Sequence, residues 1–97
     1  MKEHQVYILF SKKLNRFYIG YTFDLEIRLE FHAMATQRKF TSKAKDWEVF
    51  ITIPCVTKCQ ALLIESHIKR MKSKQYILNL KKHHSISEKL LIKYKDC

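Results

Sequence analysis

The chain has 97 residues, with Lys+Arg 19 against Asp+Glu 9 and a formal net charge of +10. This length predicts one compact domain over residues 1–97 with a modest core that needs no staples. Gly 1 and Pro 1 exclude collagen-like, linker-like and low-complexity readings, and no run approaches the ~18 consecutive apolar residues of a membrane span.

Val6-Tyr7-Ile8-Leu9-Phe10 is rich in β-branched and aromatic residues and predicts a strand. It is also too short for a signal-peptide core. Ser11 to Arg16 is polar, with Asn15 as the turn-former, and Phe17-Tyr18-Ile19-Gly20-Tyr21 predicts a second, antiparallel strand. Gly20, the only glycine, marks either a turn or bulge, or a close backbone approach beside a site. Thr22 and Asp24 open a helix as cap and first-turn acid, with Leu25, Leu29 and Ala33 as its apolar stripe.

Met34 to Lys45 is basic and polar and predicts an exposed loop. Trp47 to Cys55 is a third strand, stopped by Pro54. Thr57 and Gln60 form a capping box ahead of a helix through Ala61, Ile64, Ile68 and Met71. Ser73 to Leu80 either continues that helix or forms a separate short one. Ser85 and Glu88 make a second capping box, opening a final helix over about 85–95 through Leu90, Leu91 and Tyr94. The order β-β-α-β-α-α(-α) gives an α+β domain with a small, mostly antiparallel sheet and a core over about 5–82.

The odd cysteine count of 3 predicts reduced thiols in a cytoplasmic setting. Cys55, Cys59 and His67 are the one zinc-like grouping, but no second Cys pair or His pair at finger spacing accompanies them. The charge predicts a polyanionic partner, nucleic acid ahead of an anionic membrane surface.

Tyr7 and Tyr18 read plainly as sheet aromatics with a polar tip. Arg28 and His32 are four apart and share a helix face, plainly a solvated basic one. Glu65 lies on the edge of its helix's apolar stripe, where a carboxylate costs stability unless paired; Lys69, four residues on, is the obvious partner.

Taken in order, Val6-Tyr7-Ile8, Tyr18-Ile19-Gly20, Arg28, His32 and Glu65 resemble the motif set of the GIY-YIG nucleases. Thr22-Phe23-Asp24-Leu25, Arg28-Leu29 and Lys39-Phe40-Thr41 running to Trp47 add to it. The likeness is to the small stand-alone bacterial branch, related to the N-terminal incision domain of the excision-repair nuclease, and it covers about Val6 to Leu80. The first motif lacks the family's initial glycine, Ala33 stands where many relatives have a polar or turn residue, and Met34 to Lys45 contains no glycine.

The resemblance implies a three-stranded antiparallel sheet flanked by helices, and a Mg²⁺- or Mn²⁺-dependent endonuclease that hydrolyses DNA phosphodiesters. It implies that Tyr7 is general base or water-positioner, that Tyr18 is its partner, and that Arg28 clamps the phosphate. A planar guanidinium suits that task because it stays charged and binds in bidentate fashion. His32 would orient a tyrosine or share a proton with the leaving oxygen, and Glu65 would be the single carboxylate ligand of the cation. Asn79 is a weak further candidate.

Lys39, Lys43, Lys45, Lys69, Arg70 and Lys72, with Lys74, Lys81 and Lys82 behind them, are the candidate phosphate contacts, and collectively they predict steep salt dependence. So small a domain favours structure-directed over long sequence-specific recognition, of branched or damaged DNA, with RNA, a protein partner or a homodimer as further options. DNA repair is an association of the family. The alternative is a non-catalytic nucleic-acid-binding module of the same fold. A third option, in which the tyrosines and Glu65 merely pack, runs against the polar set at motif spacing.

Overall fold

The structure, a computed structural model, describes residues 2–33 and 46–97, without the side chains of 31–33. Lys39, Lys43 and Lys45, and the loop expected at Met34 to Lys45, lie outside the described residues.

Strand β1 (His4–Ser11) and strand β2 (Arg16–Thr22) form the expected antiparallel hairpin, with Val6 opposite Tyr21, Tyr7 opposite Gly20 and Leu9 opposite Tyr18. Asn15 makes the turn in the left-handed conformation (φ 52°), which asparagine tolerates better than most residues. The turn is held by a residue far away in sequence. Asp46 Oδ1 accepts from the Ser11 hydroxyl at 2.7 Å, and its Oδ2 accepts from the Lys13 amide at 2.9 Å. These bonds hold the Asp46 carboxyl below the usual carboxylate range.

Helix α1 (Leu25–Ala33) is capped by Asp24, whose Oδ1 accepts from the Ile27 amide at 3.3 Å. Thr22 is not the cap. Its hydroxyl accepts from the Asp24 amide and donates to the Asp24 carbonyl, both at 3.0 Å, and so braces the capping residue.

Strand β3 (Glu48–Cys55) pairs antiparallel with β1, giving the order β2-β1-β3. Pro54 does not stop it. It sits inside the strand opposite Gln5, which an edge strand allows because one side of its ladder is unpaired. The register shifts between Ile8 and Leu9.

Alternation along the strands separates two faces. Val6, Ile8, Ile53 and Cys55 join Ala61, Ile64 and Ile68 of helix α2 (Lys58–Met71), Ile77 and Leu80 of helix α3 (Lys74–Lys82) and Leu90 of helix α4 (His84–Lys93) in the main core. Val6, Ile8, Ala61 and Ile64 are wholly buried, and each such aliphatic larger than alanine is worth about 1.5–3 kcal/mol. Met71, expected on this stripe, is 44% exposed at the helix end. Tyr7 and Leu9 are just as buried, but they point to the opposite face.

The helix ends are only partly as the sequence predicts. Thr57 caps α2 by accepting from the Gln60 amide at 3.0 Å. The Gln60 side chain accepts from the Val56 amide at 2.7 Å and donates to the Leu91 carbonyl of α4 at 2.9 Å. Lys72 closes α2 in the left-handed conformation (φ 47°), and Ser73 caps α3 by accepting from the Tyr76 amide, so α3 is a separate helix. The Ser85/Glu88 box does not form. Helix α4 begins one residue earlier, His83 is its N-cap without a side-chain cap bond, and Glu88 pairs with His84 at 3.4 Å. A one-residue joint at His83, whose amide still donates to Asn79 of α3 at 2.7 Å, replaces the stretch of chain in which Ser85 would have acted as a cap.

Cysteine chemistry departs from the expectation of reduced thiols. Cys59, on the first turn of α2, forms a disulfide with Cys97, while Cys55 is free and buried, its thiol pushed up to about 11 by desolvation. The Thr57 hydroxyl donates to the Cys97 carbonyl at 3.1 Å, and the Tyr94 hydroxyl and His67 Nδ1 hydrogen-bond at 2.9 Å. The chain end is therefore fastened to α2, and the grouping of Cys55, Cys59 and His67 is not brought together. The link spans 38 residues, so Cys97→Ser is expected to lower stability by up to about 4 kcal/mol in the chain-entropy account. Urea unfolding with and without dithiothreitol checks this, because reductant must erase the difference between the two proteins.

Candidate active site

The glycine of the hairpin explains the position of the first tyrosine. Gly20 has an ordinary negative φ, so neither a turn nor a left-handed conformation requires it. A Cβ at Gly20 would lie 2.5 Å from Cζ and Oη of Tyr7 and 2.9 Å from its Cε1. Of the two sequence readings, close approach is the one realised: the Tyr7 ring lies across the backbone of β2, and only a residue without a side chain lets it through.

Tyr7 is 1% exposed. Tyr18, two residues before Gly20 on the same face, sits beside it with ring centroids 6.2 Å apart, and their side chains share a hydrogen bond. Burial first, then Tyr18, holds the Tyr7 hydroxyl well above the ordinary tyrosine range. Two further charges act on it. The Arg28 guanidinium of α1 pulls its pKa down, and the Glu65 carboxylate of α2 pushes it up. Four residues scattered from 7 to 65 thus share one electrostatic neighbourhood.

Each element supplies its residue for a local reason. Arg28 lies one turn into α1, where its amide donates to the carbonyl of the capping Asp24 at 3.1 Å. It lines an open cleft of about 470 Å³ with Tyr21, Phe23 and Ile27. Glu65 follows the fully buried Ile64 on α2 and keeps only 17% of its side chain exposed. Its carboxylate pairs with Lys69 at 3.3 Å, the partner that the sequence spacing suggests. With the lysine side chain 55% exposed, such an i,i+4 pair is worth about 0.3–0.5 kcal/mol and yields readily to a better cation.

Among the described residues no group of three or more His, Cys, Asp or Glu could hold a metal ion. The fit is therefore to a lone, largely shielded carboxylate beside a phenol. Those hard oxygen donors suit a cation such as magnesium or manganese, which keeps most of its waters.

His32 lies on α1 one turn beyond Arg28, and its side chain is outside the described residues. Asn79 accepts a hydrogen bond from Gln75 at 3.1 Å on α3. Of the basic candidates, Lys69 and Lys72 line a second cleft together with Lys74 and Arg16, whereas Arg70 does not. Sequence reasoning passed over Arg16, which closes the hairpin turn and reaches this cleft only because β2 lies against α2; no linear spacing signals it.

Comparison with known proteins agrees with the geometry. The family model of the GIY-YIG catalytic domain matches residues 3–83, a span that holds all three strands, both tyrosines, Gly20, Arg28, His32 and Glu65. No curated protein and no solved structure matched the chain. A match over most of the chain, on a three-stranded antiparallel sheet that brings the motif tyrosines together, shows that the chain belongs to the GIY-YIG nuclease superfamily.

Proposed function

We propose that this protein is a divalent-metal-dependent endonuclease that hydrolyses DNA phosphodiester bonds, directed by the structure of the DNA and not by a long sequence. The observation that carries the reading is the pairing of the buried Tyr7 with the half-buried Tyr18 within the fields of Arg28 and Glu65. A phenol has no packing need for a cation and a carboxylate, whereas in-line attack on phosphorus needs a positioned water and positive charge at the nonbridging oxygens.

Arg28, which lines the open cleft, binds the scissile phosphate and stabilises the charge that grows on it. Tyr7 holds its proton at neutral pH, because burial and Tyr18 outweigh Arg28. Its hydroxyl therefore positions the attacking water. Tyr18 fixes the orientation of Tyr7 through their hydrogen bond. His32, on the same helix as Arg28, orients a tyrosine or shares a proton with the leaving oxygen. Glu65 would hold magnesium or manganese, which supplies Lewis-acid charge to the phosphate and a more acidic water. One such centre cuts one strand per event, so a double cut takes two protomers or two visits.

The Lys69–Glu65 ion pair favours a second reading, a binding module of the same fold in which the carboxylate only balances a lysine. Labelled linear, flapped, branched and single-stranded DNAs incubated with Mg²⁺ or Mn²⁺ decide between them. Metal-dependent cutting of at least one substrate is expected. Salt-sensitive binding of the panel without a cut in either metal would sink the nuclease reading and leave the binding module, with RNA and protein partners to be tested next.

A further inference from the structure

The second cleft, about 320 Å³, opens where the beginning of β2 meets the junction of α2 and α3. Its rim carries Arg16, Lys69, Lys72 and Lys74, and its lining includes no carboxylate. Its apolar lining comes from the half-buried Phe17 and Ile19 of β2, with the core residues Ile68 of α2 and Ile77 of α3. We propose that this cleft is a track for a DNA strand, which reaches Tyr7 and Tyr18 on the opposite face by passing round the sheet edge that β2 forms, with backbone phosphates on the basic side chains and a sugar–base unit on Phe17 and Ile19. The inference rests on the DNA-cleaving reading above and adds a path for the substrate to it.

Three observations support this assignment. Arg16, Lys72 and Lys74 place three like charges around one cleft, beside a Lys69 already paired with Glu65; they repel each other, and a bound polyanion relieves that repulsion. An inorganic anion would satisfy the rim but leave the apolar lining unused, whereas a nucleic acid strand presents phosphate and apolar ring surface in alternation. The cleft also joins the active site through one side chain, since Lys69 lines it and pairs with Glu65 at 3.3 Å.

The walls are fixed in place. The Lys72 amide donates to the Lys69 carbonyl at 3.3 Å, and Lys74 Nζ donates to the Asn15 carbonyl at 3.0 Å, linking α3 to the hairpin turn. An ammonium has three donors, so Lys74 can hold that carbonyl and still offer hydrogens to a phosphate.

The test is binding of a fluorescent 12-nucleotide single-stranded DNA in EDTA, followed by anisotropy from 50 to 300 mM NaCl. The variants are Arg16→Gln, Lys74→Gln and Lys72→Asn, the last keeping a residue suited to the left-handed conformation. Lys89→Gln with Lys93→Gln on α4 is the control, and circular dichroism confirms that each protein is folded. Each cleft variant should weaken binding several-fold at low salt and lower the log–log salt slope by about 0.7–1, while the α4 pair should bind like the parent.

Equal binding by the cleft variants and the parent overturns the track. So does an equal loss in the α4 control, which would mean diffuse attraction, or displacement of the DNA by polyglutamate of matched charge at the same concentration, which would mean a site for acidic peptide. The readout is independent of cleavage. Loss of binding in the cleft variants of a protein that cuts nothing keeps the track and removes the nuclease, and cutting with unaffected cleft variants does the reverse.

Discussion

Glu65→Gln is expected to reduce metal-dependent DNA cleavage by about 10²–10³-fold or more, the usual cost of removing one electrostatic stabiliser of a transition state, with DNA affinity retained. The substitution keeps the size of a side chain that is only 17% exposed and removes its charge, so the fold has little reason to change. It sacrifices one surface ion pair with Lys69, worth a few tenths of a kcal/mol. It also removes one of the influences that raise the Tyr7 pKa. If the carboxylate acts only by raising the Tyr7 pKa, its removal does not lower cleavage; if the carboxylate is needed to hold the cation, activity stays lost at every pH and every Mg²⁺ concentration tried. Single-turnover cleavage from pH 6 to 9, with Mg²⁺ varied, separates the two. Arg28→Ala in the same assay should show a comparable loss that raised Mg²⁺ does not rescue. Cleavage by Glu65→Gln at the parent rate would remove the carboxylate from the mechanism.

Gly20→Ala is the second large effect, and it should act on stability and activity together. The added methyl would sit 2.5 Å from Cζ and Oη of Tyr7, and the ring it meets is 1% exposed. Overpacking of this kind costs about 1–3 kcal/mol. Because the clash falls on the hydroxyl end of the ring, Tyr7 is displaced from Tyr18, and cleavage should fall by about 10²-fold for a misplacement near 1 Å. The double variant Tyr7→Leu/Gly20→Ala shortens the side chain that clashes. Thermal unfolding should show it recovering stability relative to Gly20→Ala, while its cleavage stays at background. Normal cleavage in Gly20→Ala would mean that the Tyr7 ring position is not what the reaction needs.

The contrast between these positions shows what the sequence could disclose. Runs such as Val6 to Phe10 announce strands because β-branched and aromatic residues suit a pleated, half-buried surface, and the observed β1 spans that run. The apolar stripe Ala61, Ile64, Ile68 places α2 correctly, since its period matches the helix. Gly20 was legible as unusual but not as to cause, because a missing side chain does not say which ring fills its place. Arg16, Asp46 and the Cys59–Cys97 link were illegible for a shared reason: each acts on a partner 33 or more residues away in sequence, and pairing at that range is set by topology, not by local pattern. The Ser85/Glu88 box misled because its spacing is correct but its chain is not free; His83 couples α3 directly to α4.

The two faces of the sheet have one last consequence, for how this protein can change. Val6, Ile8 and Ile53 bury themselves with α2, α3 and α4 on one side, while Tyr7, Tyr18 and Gly20 belong to the other. Most of the cohesion of the molecule and most of its candidate chemistry thus lie on opposite sides of three strands. Residues at the reacting side, Tyr18 and Arg28 among them, can be exchanged without touching the layer that keeps the chain folded, so a lineage can retune or silence the reaction in single steps and still inherit a stable protein. Tyr7 and Gly20 are the exceptions, because the buried Tyr7 ring is part of the candidate site and only a glycine at 20 leaves room for it, and there selection for folding and selection for catalysis would be hardest to separate.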